Sequence, residues 1–519
     1  MKLNYKRTVL VGFAFFLISL FWQAYDATIA LTLTNKFGMS QGWSGVVMAL
    51  DNILALFLLP LFGTLSDKYC GKSGKRTPFI RLGTAVAAVA LVALSFVDNM
   101  QLNLIKDIST VDDPAALSVI YDTQAEKELQ TPDGTKFVLA DKFTKEKFVQ
   151  IRSTDDDKDV TNTDEDKTPF TSYVVPARQA YAADQTAANP TPLIIFIAVL
   201  LVLLVAMGIF RSPAVALMPD VTLKPLRSKA NAIINLMGNA GGIIVLLLGM
   251  SFAFGISKAS NAMMSYTPYY LVIAGTMVAA LVIFLCTVRE KEWAAQMQAD
   301  AIRYGVEEEQ STGEKKKLSK GQMFSLICIL LSVALWYFGY NAVTSKFSVY
   351  APNVLLMDYS LTMMIAQGFA IVSYLPAGMV ASKVGRKKTI LAGVVMLAVA
   401  FTFAAFMRAS SPAWLMYIMF ALAGIAWATI NVNSFPMVVE MCSGSDVGKY
   451  TGFYYTASMA AQTITPMLSG TLMDKMGMTV LFPYAAIFVS LAFVTMLLVK
   501  HGDAKIVTKK GLEALDIED

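Results

Sequence analysis

The sequence of 519 residues holds a single histidine, His501, which lies beyond the last long apolar run. No histidine-based catalysis or proton relay can therefore operate within the apolar part of the chain. The four cysteines, Cys70, Cys286, Cys328 and Cys442, show no CxxC or CxxH spacing, so neither a disulfide framework nor a zinc site is expected. Charge is scarce: Asp, Glu, Lys and Arg make up 16% of residues, where a soluble domain carries about 25%. A phosphate-binding loop is also missing. Gly238, Gly241 and Gly242 follow no strand, and no Gly-Lys-Ser/Thr occurs, which argues against ATP-driven transport unless a separate subunit supplies the ATPase. No nucleophile–base pair or metal-ligand spacing appears, so an enzyme is not expected, nor is a metal or a cofactor. The net charge of +5 is modest, and no nucleic-acid partner is expected.

Apolar sequence is what the chain has in excess, at 55%. Runs of about 20 apolar residues recur throughout, each long enough to cross a bilayer as a helix. Backbone groups in hydrocarbon must pair within their own segment, so these runs are helices. The expected fold class is an all-α membrane protein of twelve spans, near 8–33, 42–64, 79–97, 192–217, 231–254, 268–288, 322–345, 360–381, 389–407, 412–435, 451–473 and 479–500. The first is read as a retained helix, since no small-residue cleavage site follows a short apolar stretch.

Lys and Arg in the short loops set the orientation. Lys68, Lys72, Lys75 and Arg76 lie between spans 2 and 3, Lys224, Arg227 and Lys229 between 4 and 5, and Lys383, Arg386, Lys387 and Lys388 between 8 and 9. A multi-pass protein of the cell membrane with both termini in the cytoplasm is expected. Residues 98–190 then form an outer insertion between spans 3 and 4. It carries one acidic run at Asp155, Asp156, Asp157 and Asp159 and another at Asp164, Glu165 and Asp166. Turn-then-strand sequence from Pro132 to Leu139 suggests a small β-containing domain, and a disordered acidic loop is the other reading. The expected units are 1–97 with 191–290 as a first six-helix bundle, 98–190 as the insertion, 291–320 as a cytoplasmic linker, 321–500 as a second bundle and 501–519 as a tail.

The two halves repeat. Tyr340-Asn341-Ala342 stands 315 positions after Tyr25-Asp26-Ala27, and Gly378-x-x-x-Ser382-Lys383 stands 315 after Gly63-x-x-x-Asp67-Lys68. Pro219 and Pro436, which end spans 4 and 10, are offset by only 217. The shortfall of 98 is close to the length of the insertion, which therefore belongs to the first half alone. Two parallel six-helix halves with a substrate site near the midplane are the architecture of major facilitator transporters.

Gly63-Thr-Leu-Ser-Asp67-Lys68, followed by Lys75-Arg76, resembles the loop 2–3 motif of that superfamily. Its glycines allow close helix approach, and Asp67 can pair with basic residues and face a helix N-terminus across the interface between halves. A gating role is expected for Gly63, Asp67, Lys68 and Arg76, for Asp220 and Arg227 in loop 4–5, and for Gly378, Lys383 and Arg386 in the partial second copy. The stretch from Pro213 through Leu217, Pro219, Asp220 and Thr222 to Arg227 and Asn231 resembles the signature of the glycoside–pentoside–hexuronide:cation symporters. Arg211 and Gly74-Lys-Arg-Thr-Pro-Phe-Ile80 are similar to the related sucrose-type proton symporters. The resemblance implies uptake of a sugar or glycoside with a cation. The helix 2 acidic pair typical of the melibiose permease group is replaced by Ala55 and Leu59, with Asp51 a turn earlier. A sodium site of paired carboxylates is thereby disfavoured, and the coupling ion is expected to be H+, with Na+ as the alternative.

Charge inside a bilayer is costly and marks functional candidates. Asp26, whose repeat partner is the neutral Asn341, Asp51 and Arg211 are the proton-coupling candidates. Sugar sites combine aromatic faces with amides and carboxyls. Trp22, Gln23 and Tyr25, then Trp336, Tyr340 and Asn341, then Trp427 and Asn431 offer such sets. Interhelical packing is the bland alternative for each. The expected function is proton-coupled symport of a sugar by a monomer, with a small-molecule substrate and the lipid bilayer as partners. A proton-coupled drug antiporter and a transporter-like receptor are the competing readings.

Overall fold

The computed structural model describes residues 3–69, 71–153, 169–223, 226–252, 263–304, 319–439 and 447–501. Twelve long helices dominate it: α1 (Tyr5–Leu31), α2 (Gln41–Lys68), α3 (Thr77–Leu104), α4 (Thr191–Val221), α5 (Arg227–Ser251), α6 (Thr267–Thr287), α7 (Lys320–Tyr350), α8 (Tyr359–Val384), α9 (Arg386–Ala405), α10 (Ala413–Val439), α11 (Val447–Met476) and α12 (Leu481–Leu497). Ten are long and apolar enough to cross a membrane; α8 and the Ser/Thr/Gln-rich α11 are the two outside that number. Polar caps start several of them. Ser40 accepts from the Trp43 N–H, Ser319 forms a capping box with Gln322, and Asp358 accepts from the Leu361 N–H at 2.7 Å. Pro219 and Pro436 do not end their helices as expected. Both lie inside the final turns, since a proline near a C-terminus removes only one internal hydrogen bond.

The helices sort into two halves, α1–α6 and α7–α12, each around its own apolar core. In the first half α5 lies against α1, with Gly241 facing the Phe16 carbonyl so closely that a Cβ would sit 2.6 Å from it. The leading helices of the two halves are extended alike by a π-helical turn, Thr32–Lys36 after α1 and Ala351–Leu355 after α7. We call the end carrying those turns the insertion end, and the end carrying loop 2–3 the basic end.

Lys36 is fully buried at the insertion end of the first half. Its ammonium donates to both Asp98 carboxylate oxygens and to the Met264 carbonyl, each at 2.7 Å, and stands 3.5 Å from the centre of the Tyr266 ring. A cation so placed needs this full set of partners to offset its lost hydration.

The segment between α3 and α4 is folded over its described residues. It has its own apolar core, including Leu117, Ile120, Phe137, Phe148 and Phe170. Strands β1 (Glu128–Gln130) and β2 (Lys136–Val138) form an antiparallel hairpin, flanked by helices Pro114–Gln124 and Val175–Ala188. Of the two readings left open for this segment, the described residues show the β-containing one, and the acidic runs at 155–166 lie outside the described residues. The unit is tied to the first half. Gln101 donates to Thr186 at 2.9 Å and to the Lys36 carbonyl at 2.8 Å, and Gln179 donates to Asn35 at 2.8 Å.

Candidate functional site

A cavity of about 460 Å³ lies between the halves, midway along the helices. Its first-half wall includes Trp22, Gln23 and Asp26 of α1, Arg211 of α4, and Asn239 and Gly242 of α5. Across it stand Tyr340 and Thr344 of α7, Gln367 and Tyr374 of α8, and Trp427 of α10. A smaller cavity of about 180 Å³ shares Trp22, Asp26, Arg211 and Thr344 with it and continues past Tyr25, Asp51, Asn52, Asn341 and Gln462.

Helical periodicity explains the division along α1. Trp22 and Asp26, one turn apart, share a face toward both cavities, while Tyr25 turns to the smaller one alone. The Arg211 guanidinium lies 5.4 Å from the centre of the Trp22 ring, within the range of a cation–π contact. Opposite, the Tyr340 and Trp427 rings stack with centroids 3.6 Å apart and planes 4° from parallel. Gln23 donates to the Tyr359 hydroxyl at 3.2 Å and accepts from Gln367, so one amide joins α1 to α8. Asn52 donates to Asp51 at 2.7 Å. Three buried donors in this region, Trp22 Nε1, the Tyr25 hydroxyl and Asn341 Nδ2, have no hydrogen-bond partner among the described residues.

The structure therefore brings the three coupling candidates, Asp26, Asp51 and Arg211, to one cavity. Of the aromatic and amide candidates, Trp22, Gln23, Tyr340 and Trp427 line the larger cavity, and Tyr25 and Asn341 the smaller. Trp336 lines neither; it is 1% exposed within the core of the second half. Asn431 stands one step back, hydrogen-bonded to Tyr374. Gln367, Asn239, Tyr374 and Thr344 were not singled out by sequence, although a polar side chain in an apolar span was the available signal.

At the basic end, Arg76 is the centre of the loop 2–3 motif. It is buried and donates through Nε to Asp220 at 2.7 Å, through Nη1 to Ser66 at 2.5 Å, and through Nη2 to Asp67. Burial works against its charge, but the bonds to Asp220 and Asp67 outweigh that and raise its pKa. Glu290, also missed, clasps the start of α3. Its carboxylate accepts from the backbone N–H groups of Lys75, Arg76 and Thr77 at 2.6–2.8 Å and from the Thr77 hydroxyl at 2.7 Å. These contacts hold α2, α3 and α4 together within one half; among the described residues the partner of Asp67 is Arg76 of that same half. Gly63 stands against Ser212, and Lys68 is exposed. In the second copy Ser382 replaces the aspartate, Gly378 faces Val432, Lys383 is exposed, and Arg386 opens α9. Lys387 there donates to the carbonyls of Leu497 and Val499 at 3.0 and 2.5 Å. The Arg227 side chain lies outside the described residues.

The insertion end holds a polar lock between halves. Asp474 at the end of α11 accepts from the first two N–H groups of α2, those of Gln41 and Gly42, each at 2.7 Å. The fully buried Lys346 of α7 donates to the Gln41 carbonyl at 2.6 Å and the Ser44 hydroxyl at 2.7 Å. Below it, Gly45 and Gly470 bring the backbones of α2 and α11 into direct contact, leaving no room for a Cβ. The halves are thus closed at the insertion end.

Two helical halves, a buried polar cavity between them and a closure at one end define a multi-pass membrane transporter. The sequence profile of the Major Facilitator Superfamily matches residues 182–373 and 354–516, which together exceed half of the chain. The protein belongs to this superfamily. Among relatives, an MFS-type transporter, ppzB, of Metarhizium rileyi is 26% identical over 141 residues, and its counterpart in Metarhizium majus is 27% identical over 141. The matched stretch spans 27% of this chain and 29% and 30% of those proteins. The inward-open xylose transporter XylE of E. coli aligns over 99% of this chain and all of its own, with TM-score 0.59 and 16% identity. A crystal structure of a D-xylose–proton symporter aligns over 96% of this chain and 99% of its own, with TM-score 0.59 and 13% identity. A point mutant of the nucleoside transporter NupG aligns over 95% and 100%, with TM-score 0.53 and 12% identity. At such identities the likeness is one of fold. These relatives and neighbours are transporters, not enzymes.

Proposed function

We propose that the protein is a proton-coupled symporter of a sugar or glycoside, working by alternating access in the cell membrane. In this reading all twelve long helices cross the bilayer, the insertion lies outside and both termini lie in the cytoplasm. The observation that carries it is the composition of the central cavity. Stacked Tyr340 and Trp427 offer an aromatic face to a sugar ring, while Trp22 Nε1, Gln23, Gln367 and Asn239 supply hydrogen-bonding groups for hydroxyls. Its volume of about 460 Å³ suits a mono- or disaccharide.

Coupling follows from the adjoining smaller cavity. Asp26 belongs to both cavities, so its protonation can be sensed by a bound sugar. Asp51 faces the same space, and Arg211 supplies the positive charge that either carboxylate can use when it loses its proton. Protonation from one side, sugar binding, reclosure and proton release to the other give symport. The xylose–proton symporter of like fold is consistent with a sugar and a proton.

The test is proton entry into liposomes holding the purified protein, with glucosides, galactosides, sucrose and maltose added singly, with and without sodium. Proton entry triggered by one sugar supports the reading. Flux triggered only by an amphipathic cation replaces it with drug antiport, and flux that requires sodium replaces the coupling ion.

A further inference from the structure

The insertion belongs by chain connection and by contact to the first half. It leaves α3 and re-enters at α4, and Gln101, Thr186, Gln179 and Asn35 bind it there. Gly38, just after the π-turn of α1, packs directly on the backbone of Gln179 and Ala183. Yet its hairpin turn reaches the other half. The Met478 N–H, in the turn between α11 and α12, donates to the Pro132 carbonyl at 2.7 Å. Gly134 and Gly477 meet backbone to backbone beside that bond, both in the left-handed region with φ of +98° and +86°. Neither position leaves space for a side chain.

The contact falls on the segment that the polar lock already uses. Asp474, which caps α2, is four residues before Met478. The second half is therefore gripped at one short stretch by two elements of the first half, the start of α2 and the hairpin. The grip is narrow. A cavity of about 230 Å³, bordered by Pro132, Asp133, Ser172, Arg408 and Thr479, separates the hairpin from the second half beside it. Over the described residues the contact includes one backbone hydrogen bond and two facing glycines, and contacts of this kind can be released and remade at low cost.

We infer that the insertion is a strap on the insertion-side gate: its hairpin turn holds the turn between α11 and α12, and must let go for the cavity to open on that side. Because the strap is fixed to the first half, a rocking of one half against the other cannot open that end while the hairpin stays docked. The inference rests on the alternating-access part of the proposed function and on neither the sugar nor the proton.

The test is accessibility, read with the full chain in vesicles. In a background with Cys70, Cys286, Cys328 and Cys442 replaced by serine, Thr344→Cys reports the cavity to an impermeant thiol reagent on the insertion side. Pro132→Cys with Met478→Cys, whose backbones are hydrogen-bonded at 2.7 Å, then allows a disulfide between hairpin and turn. Labelling of residue 344 is expected to fall at least tenfold when the bridge is oxidised and to return on reduction, a reversibility that misfolding does not show. Gly134→Val, which cannot dock, is expected to raise labelling severalfold. Equal rates in the bridged and reduced protein overturn the strap. Sugar flux has no part in this readout, so a failed sugar assay leaves the labelling result standing, and a failed strap leaves the flux assay untouched.

Discussion

Lys346 of α7 donates to Ser44 of α2 at 2.7 Å, fully buried, at the point where the two halves of the molecule close on each other. It also holds the Gln41 carbonyl in the first turn of α2, while Asp474 takes the N–H groups at the same turn. Two donors and one acceptor at the helix start are thereby matched from the second half. Hydrogen bonds to charged groups contribute about 1.5–3 kcal/mol each. Asp474→Ala is expected to shift the balance toward opening at the insertion end by about 2 kcal/mol, roughly thirtyfold in population. The measure is labelling of a cavity cysteine from that side; unchanged labelling would show that the lock is not limiting.

Asp26→Asn and Asp51→Asn separate the coupling residue from its neighbour. The true proton carrier, once neutral, is expected to lose sugar-driven proton entry while keeping sugar exchange between equal pools. The other variant should keep coupling with a changed KM. Retention of full proton entry in both variants would remove these carboxylates from the mechanism.

Arg211→Lys keeps the charge but loses the planar group set near the Trp22 ring. Coupled transport is expected to fall by about fivefold to thirtyfold, as a contact of about 1–2 kcal/mol implies. Full coupled transport by this variant would mean that Arg211 serves only packing.

Tyr340→Ala breaks the stack on Trp427. An aromatic pair is worth about 0.5–1.5 kcal/mol beyond its buried area, so sugar KM should rise about threefold to tenfold. Tyr340→Phe keeps the ring and should lie near wild type. Trp336→Phe, away from both cavities, should leave KM unchanged.

Lys36→Met leaves the Asp98 carboxylate buried without its cation. A loss of about 3–5 kcal/mol in thermal or denaturant stability is expected. Lys36→Met with Asp98→Leu should recover much of it, since an apolar pair of similar volume needs no solvation. Failure of the double variant to recover would show that the Met264 carbonyl and Tyr266 ring depend on the ammonium as much as Asp98 does.

Composition and periodicity determined a great deal by themselves. Long apolar runs can only be helices where water is excluded, so the expected helix ends lie within about five residues of those observed, except that α3 runs seven residues further, to Leu104. Asp26, Asp51 and Arg211 stood out because a charge amid apolar residues needs a reason, and the repeat offset separated the insertion from the two halves. The tertiary structure decided the rest. Lys36, Asp98, Lys346 and Asp474 each fall one to three residues past the expected span limits, because a hydropathy run stops at its first charge. Only packing shows that their helices continue, through π-turns and polar caps, and that these charges are solvated by one another and by backbone. Trp336 and Trp427 are alike by sequence pattern, a tryptophan in a polar-flecked helix, yet one sits in a core and the other in the cavity wall. Helix rotation sets that difference, and it is fixed by contacts with distant helices that no local pattern records. The docking of the hairpin turn on Gly477 likewise pairs residues over three hundred positions apart, a relation that only the folded chain creates.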